Sequence, residues 1–439
     1  NYCAYPNALP TVALVCYCVQ LDVISVKEII RIISQFYEDH KTDKKISISI
    51  LFCWFCPEIS KESPELFNKM RELIQTQVNY AFFPNAFKGF MKNFDRYKEN
   101  DWELYQNKRY DKELDSCSYL LRKDNDDALR KIAINNPGLF SHRLDQDIFI
   151  PCPLVHDFPS TILYAAIYGS SKCFMLMLRW GSKAYYSDRK YRTLLHFVVA
   201  GGDEYLYSIA MQNFRDYDSL LQIASEYHQN LLFYTIYQSD PNMLEAYDQI
   251  GKSVKSTAAI SNNVATLAFA MVNDQRPFVE SFGRTPFHNA AEYGMINALR
   301  LLLFMQIDEV NKMIDQSKQK KKKKKFLKKH EKTLNLPKII NKCLINVNVQ
   351  DSWGMTPLHL ATDQLKSKSI KVLFWTPYLN PNIPNVSGKT PVFYAIKTKD
   401  LNIVKLFVQN PNVDFTVKNK KGETPLHVAV KIQCPEIIS

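Results

Sequence analysis

Long apolar runs, paired cysteines and glycine-rich turns are all missing from this sequence. No stretch of about 20 apolar residues occurs in the 439, so no transmembrane helix is expected. The most apolar N-terminal run, residues 12–19, is short and follows Pro10. Ten cysteines lie scattered without a dense framework, which excludes a disulfide-stapled fold and fits a reducing, intracellular compartment, cytoplasmic or nuclear. Gly251-Lys252-Ser253 ends like a phosphate-binding loop, but Ala246 stands where the first glycine is required, so nucleotide binding has no support. No nucleophile elbow or kinase signature is present, and the serines, histidines and carboxylates form no catalytic pattern. The chain is therefore expected to be no enzyme and to need no cofactor or metal.

What is present is a folding sequence: 46% hydrophobic and 13% aromatic residues exclude global disorder. The net charge of +12 is concentrated in one place. Residues 312–342 hold thirteen lysines against Asp315 and Glu331, and the remainder is close to neutral. Within that segment Lys318, Lys320, Lys321, Lys322, Lys323, Lys324, Lys325, Lys328 and Lys329 form a run that repels itself, and residues 306–345 are expected to be a flexible insertion. It is surface decoration, or a targeting signal, or a weak polyanion contact; without an aromatic platform it does not read nucleic-acid sequence. The first residue is Asn1 and the last six, Cys434–Ser439, fall inside a helical pattern, so both ends are expected to be boundaries within a longer protein.

Residues 1–112 read as a helical N-terminal domain. Residues 23–37 carry apolar residues at helical spacing, and residues 65–78 do so again after Ser63-Pro64, with Pro as a first helical residue. Residues 46–52 alternate and then run apolar, as a short strand or the start of a buried helix would. Residues 93–105 read as one polar helix anchored by Phe94, Tyr97 and Trp102. Cys53-Trp-Phe-Cys56 before Pro57 has the spacing of a redox dithiol, and is the single feature that supports a catalytic N-terminal domain. Too few strand signals surround it. Cys16 and Cys18 could join the pair as zinc ligands, but CxC is weaker than a second CxxC and the surroundings are apolar. Buried small hydrophobes is the reading adopted.

The rest of the chain repeats. Ser160, Thr193, Asn230, Asn263, Thr285, Thr356, Thr390 and Thr424, taken as equivalent, are separated by 33, 37, 33, 22, 71, 34 and 34 residues. The longest step is one repeat plus the lysine-rich insertion, and Asn263 is the least regular member. Thr or Ser caps a helix and Pro fits its first position. Ala five residues on (Ala165, Ala290, Ala361, Ala395, Ala429) lets helices pack closely, and Gly169, Gly202 and Gly294 end the first helix. Gly283, Gly354, Gly388 and Gly422 permit a tight turn two residues before the cap.

Thr285-Pro-Phe-His288, Thr356-Pro-Leu-His359 and Thr424-Pro-Leu-His427 at this period resemble the ankyrin repeat, whose core is T-P-L-H-x-A over about 33 residues. Thr390-Pro-Val-Phe393 departs by losing the His. Together with the helical N-terminal region, the pattern also resembles the large ankyrin families of parasitic protists. The resemblance implies an all-α helical solenoid of about seven or eight repeats with finger hairpins. Degenerate repeats occupy 113–305 and regular ones 346–439. It further implies that His196, His288, His359 and His427 bridge neighbouring repeats rather than catalyse.

The function implied is non-catalytic scaffolding: a monomer binding a protein partner through a concave surface of finger tips and first-helix faces. The candidates at the fingers are Phe282, Arg284, Ser352, Trp353, Met355, Ser387, Lys389, Lys420, Lys421 and Glu423. On the first helices they are Asn289, Glu292, Tyr293, Asp363, Gln364, Lys397 and Thr398. Trp353 stands out, because an aromatic anchor at a finger tip is the kind of residue that dominates interfaces.

Overall fold

A computed structural model describes residues 15–432, except 326–345, parts of 137–158 and 183–190, and short stretches near 20, 41–44, 78–84, 110–115, 214–217, 249 and 275–279. The described residues are helical throughout, with no strand among them. The chain divides into two compact units, residues 1–216 and 217–439, so the first holds both the N-terminal helical region and the earliest repeats.

The N-terminal region is α1 (Val26–His40), α2 (Lys45–Glu62), α3 (Pro64–Gln77), α4 (Asn85–Lys92), α5 (Phe94–Lys98) and α6 (Glu103–Arg109). α1 is amphipathic, with Ile29, Ile30, Ile33 and Tyr37 buried. The alternating run at 46–52 is helix: residues 48–56 of α2 are apolar on nearly every side and almost wholly buried. The expected helix over 93–105 is broken, because Asn100 and Asp101 are left-handed (φ 50° and 52°) between α5 and α6. Asn and Asp tolerate that conformation better than other side chains do. Phe94, Tyr97 and Trp102 are buried as anchors.

Pro57 decides what α2 needs from its neighbours. Lacking an N–H, it leaves the Cys53 carbonyl without a helical partner, and the helix kinks at Phe55 (φ −128°, ψ 15°). Tyr105 Oη donates to Cys53 O at 2.8 Å and Arg109 Nη1 to Trp54 O at 2.7 Å. Arg109 is held in turn by Glu58, at 2.6 and 3.0 Å. α6 thus supplies the donors that the kink in α2 removes.

Helix pairs follow. α7 (Cys117–Arg122) and α8 (Asp126–Asn135) form the first pair. Then come α9 (Thr161–Ile167) and α10 (Ser171–Arg179), and α11 (Leu194–Gly201) and α12 (Glu204–Asn213). The second unit contains α13 (Leu220–Glu226) with α14 (Asn230–Ser239), and α15 (Val254–Ser261) with α16 (Val264–Asn273). It continues with α17 (Pro286–Tyr293) and α18 (Ile296–Lys325), α19 (Pro357–Asp363) and α20 (Ser367–Phe374), α21 (Pro391–Thr398) and α22 (Leu401–Val408), and α23 (Pro425–Lys431). Within each unit, first helices stack on first helices.

The geometry corrects the register over 230–285. The first helices are capped by Ser160, Thr193, Ser219, Ser253, Thr285, Thr356, Thr390 and Thr424. Asn230 and Asn263 sit instead at the starts of second helices, where Asn263 Nδ2 donates to Asn230 Oδ1 at 2.9 Å. They do repeat, but out of phase; an Asn cap signals a helix start without saying which helix. Nine residues after each of the first seven of these caps the chain turns left-handed, at Gly169, Gly202, His228, Asn262, Gly294, Leu365 and Lys399. Five residues after each cap stands a buried Ala, Ala224 and Ala258 included, except after Thr193, where Val198 takes the place.

The lysine run also departs from expectation. α18 is one continuous helix of 30 residues through Lys325, where a loop from residue 306 was expected. Lysine is a good helix former, Asp308 and Lys312 pair at 2.6 Å one turn apart, and the packed base at Ala298–Val310 nucleates the remainder. Lys328 and Lys329 lie outside the described residues.

Candidate functional site

The finger preceding each cap has one construction. Asp351, Asn385 and Asn419 each accept, on Oδ1, the backbone N–H groups two and four residues ahead, at 2.8–3.0 Å. The backbone closes the loop, as in Asp351 N–H to Met355 O at 2.9 Å. The fourth residue is left-handed: Gly354, Gly388 and Gly422 at φ 71°, 73° and 77°. Side chains with short acceptors and a glycine are what this turn requires.

Fingers then pair with fingers. Ser352 N–H donates to Phe282 O at 2.8 Å, Val386 N–H to Trp353 O at 3.0 Å, and Lys420 N–H to Ser387 O at 3.1 Å. The approach is close enough that a Cβ on Gly354 would lie 2.8 Å from Val386 N, and one on Gly388 would lie 2.8 Å from Lys420 N. Under the fingers that precede Thr285 and Thr356 a His fixes the cap. Nδ1 of His288 and His359 accepts the N–H of Thr285 and Thr356 at 3.1 and 3.0 Å. That leaves Nε2 as the protonated nitrogen, and it donates to Met355 O and Lys389 O, both at 3.0 Å. Burial pushes both imidazoles down to about 4, so they are neutral bridges. His196 makes the same cap with Thr193, while His427 is exposed. At Thr390 the His is replaced by Phe393, and the buried Thr390 Oγ1 has no hydrogen-bond partner.

The tips bring two of the candidates together. Phe282 and Trp353 stack at 5.1 Å with ring planes 28° apart, yet remain 63% and 47% exposed. Trp353 therefore packs on the neighbouring finger. Arg284 lies 6.0 Å from the centre of the Trp353 ring and pairs with Glu292. Ser352, Asp363, Gln364, Ser387, Lys397, Lys420 and Lys421 are exposed; Tyr293, Lys389, Thr398 and Glu423 are half-buried. Two candidates are not surface residues. Asn289 is 5% exposed and donates to Ser256 Oγ at 2.9 Å, joining two first helices. Met355 is 9% exposed, with its sulfur accepting from Asn385 Nδ2 at 3.4 Å. Met355, directly before its cap, lies beneath the next finger, whereas Arg284, Lys389 and Glu423 at the same position are half-buried.

Two fingers escaped the sequence reading. Asp188–Arg192 closes by Asp188 N–H to Arg192 O at 3.1 Å, with Tyr191 left-handed at φ 61°. Asp248–Lys252 closes at 2.9 Å, with Gly251 at φ 77° and Asp248 Oδ1 accepting from Ile250 and Lys252. For the second the signal was the pattern Asp/Asn-x-x-Gly-x-Ser/Thr, while in the first Tyr191 stands where the glycine would be. At 248–253 it contains the Gly-Lys-Ser that otherwise suggests phosphate.

The remaining chemical signals are occupied by structure. Cys53 and Cys56 lie inside α2, fully buried. Burial first, then mutual repulsion for Cys53, raises both thiols well above their ordinary value, the opposite of an activated dithiol. Lys255, the one lysine buried in a first helix among the described residues, donates to Asp274 O at 2.7 Å and pairs with Asp274 Oδ2 at 3.1 Å. No helix among the described residues is long and apolar enough to cross a membrane.

The family model described as "Ankyrin repeats (3 copies)" matches residues 366–439. Residues 366–439 carry ankyrin repeats. Among solved structures, it is similar to the ankyrin repeat domain of Bcl-3, described as a unique member of the IkappaB protein family. The likeness is at 18% identity and a TM-score of 0.38, over 51% of this chain and 84% of that one. No curated protein matches the sequence. Ankyrin repeats in general mediate protein–protein interaction and are in general not catalytic, because the motif residues are spent on caps, turns and packing while the finger tips stay variable.

Proposed function

We propose that this chain is a non-catalytic scaffold that binds a protein partner through its ankyrin finger tips and the exposed ends of its first helices. The observation that carries the reading is the Phe282–Trp353 stack, two large aromatic side chains left 63% and 47% exposed on adjacent fingers. Aromatic residues preorganised in this way are the usual anchors of an interface. The test is partner capture with the full chain and with Phe282→Ala/Trp353→Ala. Loss of a reproducible subset of captured proteins at unchanged circular dichroism supports the reading; an unchanged set refutes it.

A second reading rests on α18 running through Lys320–Lys325. Six lysines there rise only about 9 Å along a helix axis, a charge density that attracts polyanions. Retention on heparin that falls steeply with salt and disappears when Lys318–Lys329 is deleted favours this polyanion adaptor. Retention that ignores the deletion removes it.

A further inference from the structure

In the repeats capped by Thr285 and Thr424 the fifth residue of the finger meets the seventh residue after the same cap. In two repeats these positions are an ion pair: Arg284 with Glu292, and Glu423 with Lys431 at 3.2 Å. The two repeats between them break the pattern. The equivalent positions hold Met355 and Asp363 in one and Lys389 and Lys397 in the other. Asp363, Lys389 and Lys397 have no ion-pair partner among the described residues, and Asp363 and Lys397 are exposed. Two lysines thus occupy the place where the flanking repeats put opposite charges. Lys420 and Lys421 extend the same sign onto the next finger, while Glu423 is already held by Lys431. On the other side the Trp353 ring lies beside Arg284, and so beside the neutralised rung.

We propose that this surface binds an acidic protein segment, one of whose carboxylates sits between Lys389 and Lys397 as Glu423 sits against Lys431, while a neighbouring apolar side chain of the segment lies on Trp353. The inference rests on the scaffold reading and names the chemistry of the partner. Like charges at one rung repel until a carboxylate arrives, so charge complementarity gives both orientation and preference. The apolar contact supplies the part that salt does not screen.

The experiment is selection of a random peptide library against the full chain, against Lys389→Glu/Lys397→Glu and against Phe282→Ala/Trp353→Ala. All four positions are at least partly solvent-exposed, so the variants fold, which circular dichroism checks. Peptides enriched in Asp and Glu next to an apolar residue, losing about tenfold or more in affinity on the lysine reversal and on added salt, are the expected result. Enrichment of neutral or basic peptides overturns the proposal, as does the same consensus on the lysine-reversed protein or no enrichment at all. Should enrichment depend on Phe282 and Trp353 but not on the lysines, the acidic assignment fails and the scaffold reading stands. An oligothymidine probe that binds the wild type and is lost on lysine reversal would show a nucleic-acid surface instead, and also overturns it.

Discussion

The N-terminal helices and the repeats are both all-helical, yet they are held together in opposite ways. Residues 26–109 pack large side chains, Phe52, Phe67, Phe90, Phe94, Trp102 and Tyr105 among them, around one kink whose broken backbone bonds are mended by two residues of α6. The repeats use small residues and the same few contacts again and again. In the first region one residue carries a great deal. In the second each contact is modest and its loss is local. Single changes should therefore differ in size and in reach between the two.

Arg109→Ala gives the largest effect. It leaves the partly buried Glu58 without its cation and Trp54 O without its donor, and should cost about 3–5 kcal/mol. Hydrogen exchange would show protection lost across residues 26–109 and kept at Leu358 and Ala361; retained protection in both regions removes the keystone role. Acidification comes next and acts on the repeats. His288 and His359 stay neutral in the folded chain down to about 4, whereas in the unfolded chain they take up protons from about 6.5. Stability is thus fully present above about 6.5 and is lost as pH falls, by about 3 kcal/mol for the two together at pH 5.5. Denaturation midpoints at pH 7.5 and 5.5 measure it, with His359→Gln expected to halve the slope.

Gly388→Ala should cost about 2 kcal/mol and Gly422→Ala about 1, since both are left-handed but only Gly388 faces another finger's backbone. Equal costs would mean that the ladder between fingers contributes nothing. Thr356→Val should cost about 1 kcal/mol, and Thr390→Val close to nothing, because the Thr390 hydroxyl is already unpaired. The smallest change is a gain. Lys399→Gly relieves a left-handed lysine and should stabilise by about 0.5 kcal/mol, read as a small rise in Tm.

How much of this the sequence disclosed differs between the regions for the same reason. A repeated contact writes itself into the sequence at a fixed period, so the caps at Thr285, Thr356, Thr390 and Thr424, the bridging role of His288 and His359 and the finger glycines were legible. Where the period held but the cap chemistry was ambiguous, at Asn230 and Asn263, the phase was misread. The mending of the α2 kink by Tyr105 and Arg109 joins residues more than 50 positions apart, and nothing local announces it. The candidate tips were legible as positions, but the Phe282–Trp353 stack depends on two fingers separated by 71 residues in the chain. The burial of Asn289 and Met355 likewise depends on neighbouring repeats, the preceding one for Asn289 and the next one for Met355.

The bonds between fingers have a consequence for how this protein can change over generations. At Phe282, Trp353 and Ser387 it is the backbone carbonyl, not the side chain, that forms the hydrogen bond to the neighbouring finger. A mutation at any of these three codons alters what the surface offers without touching the bond that positions it. Fold and recognition are thereby inherited separately, and selection can rewrite one without risking the other.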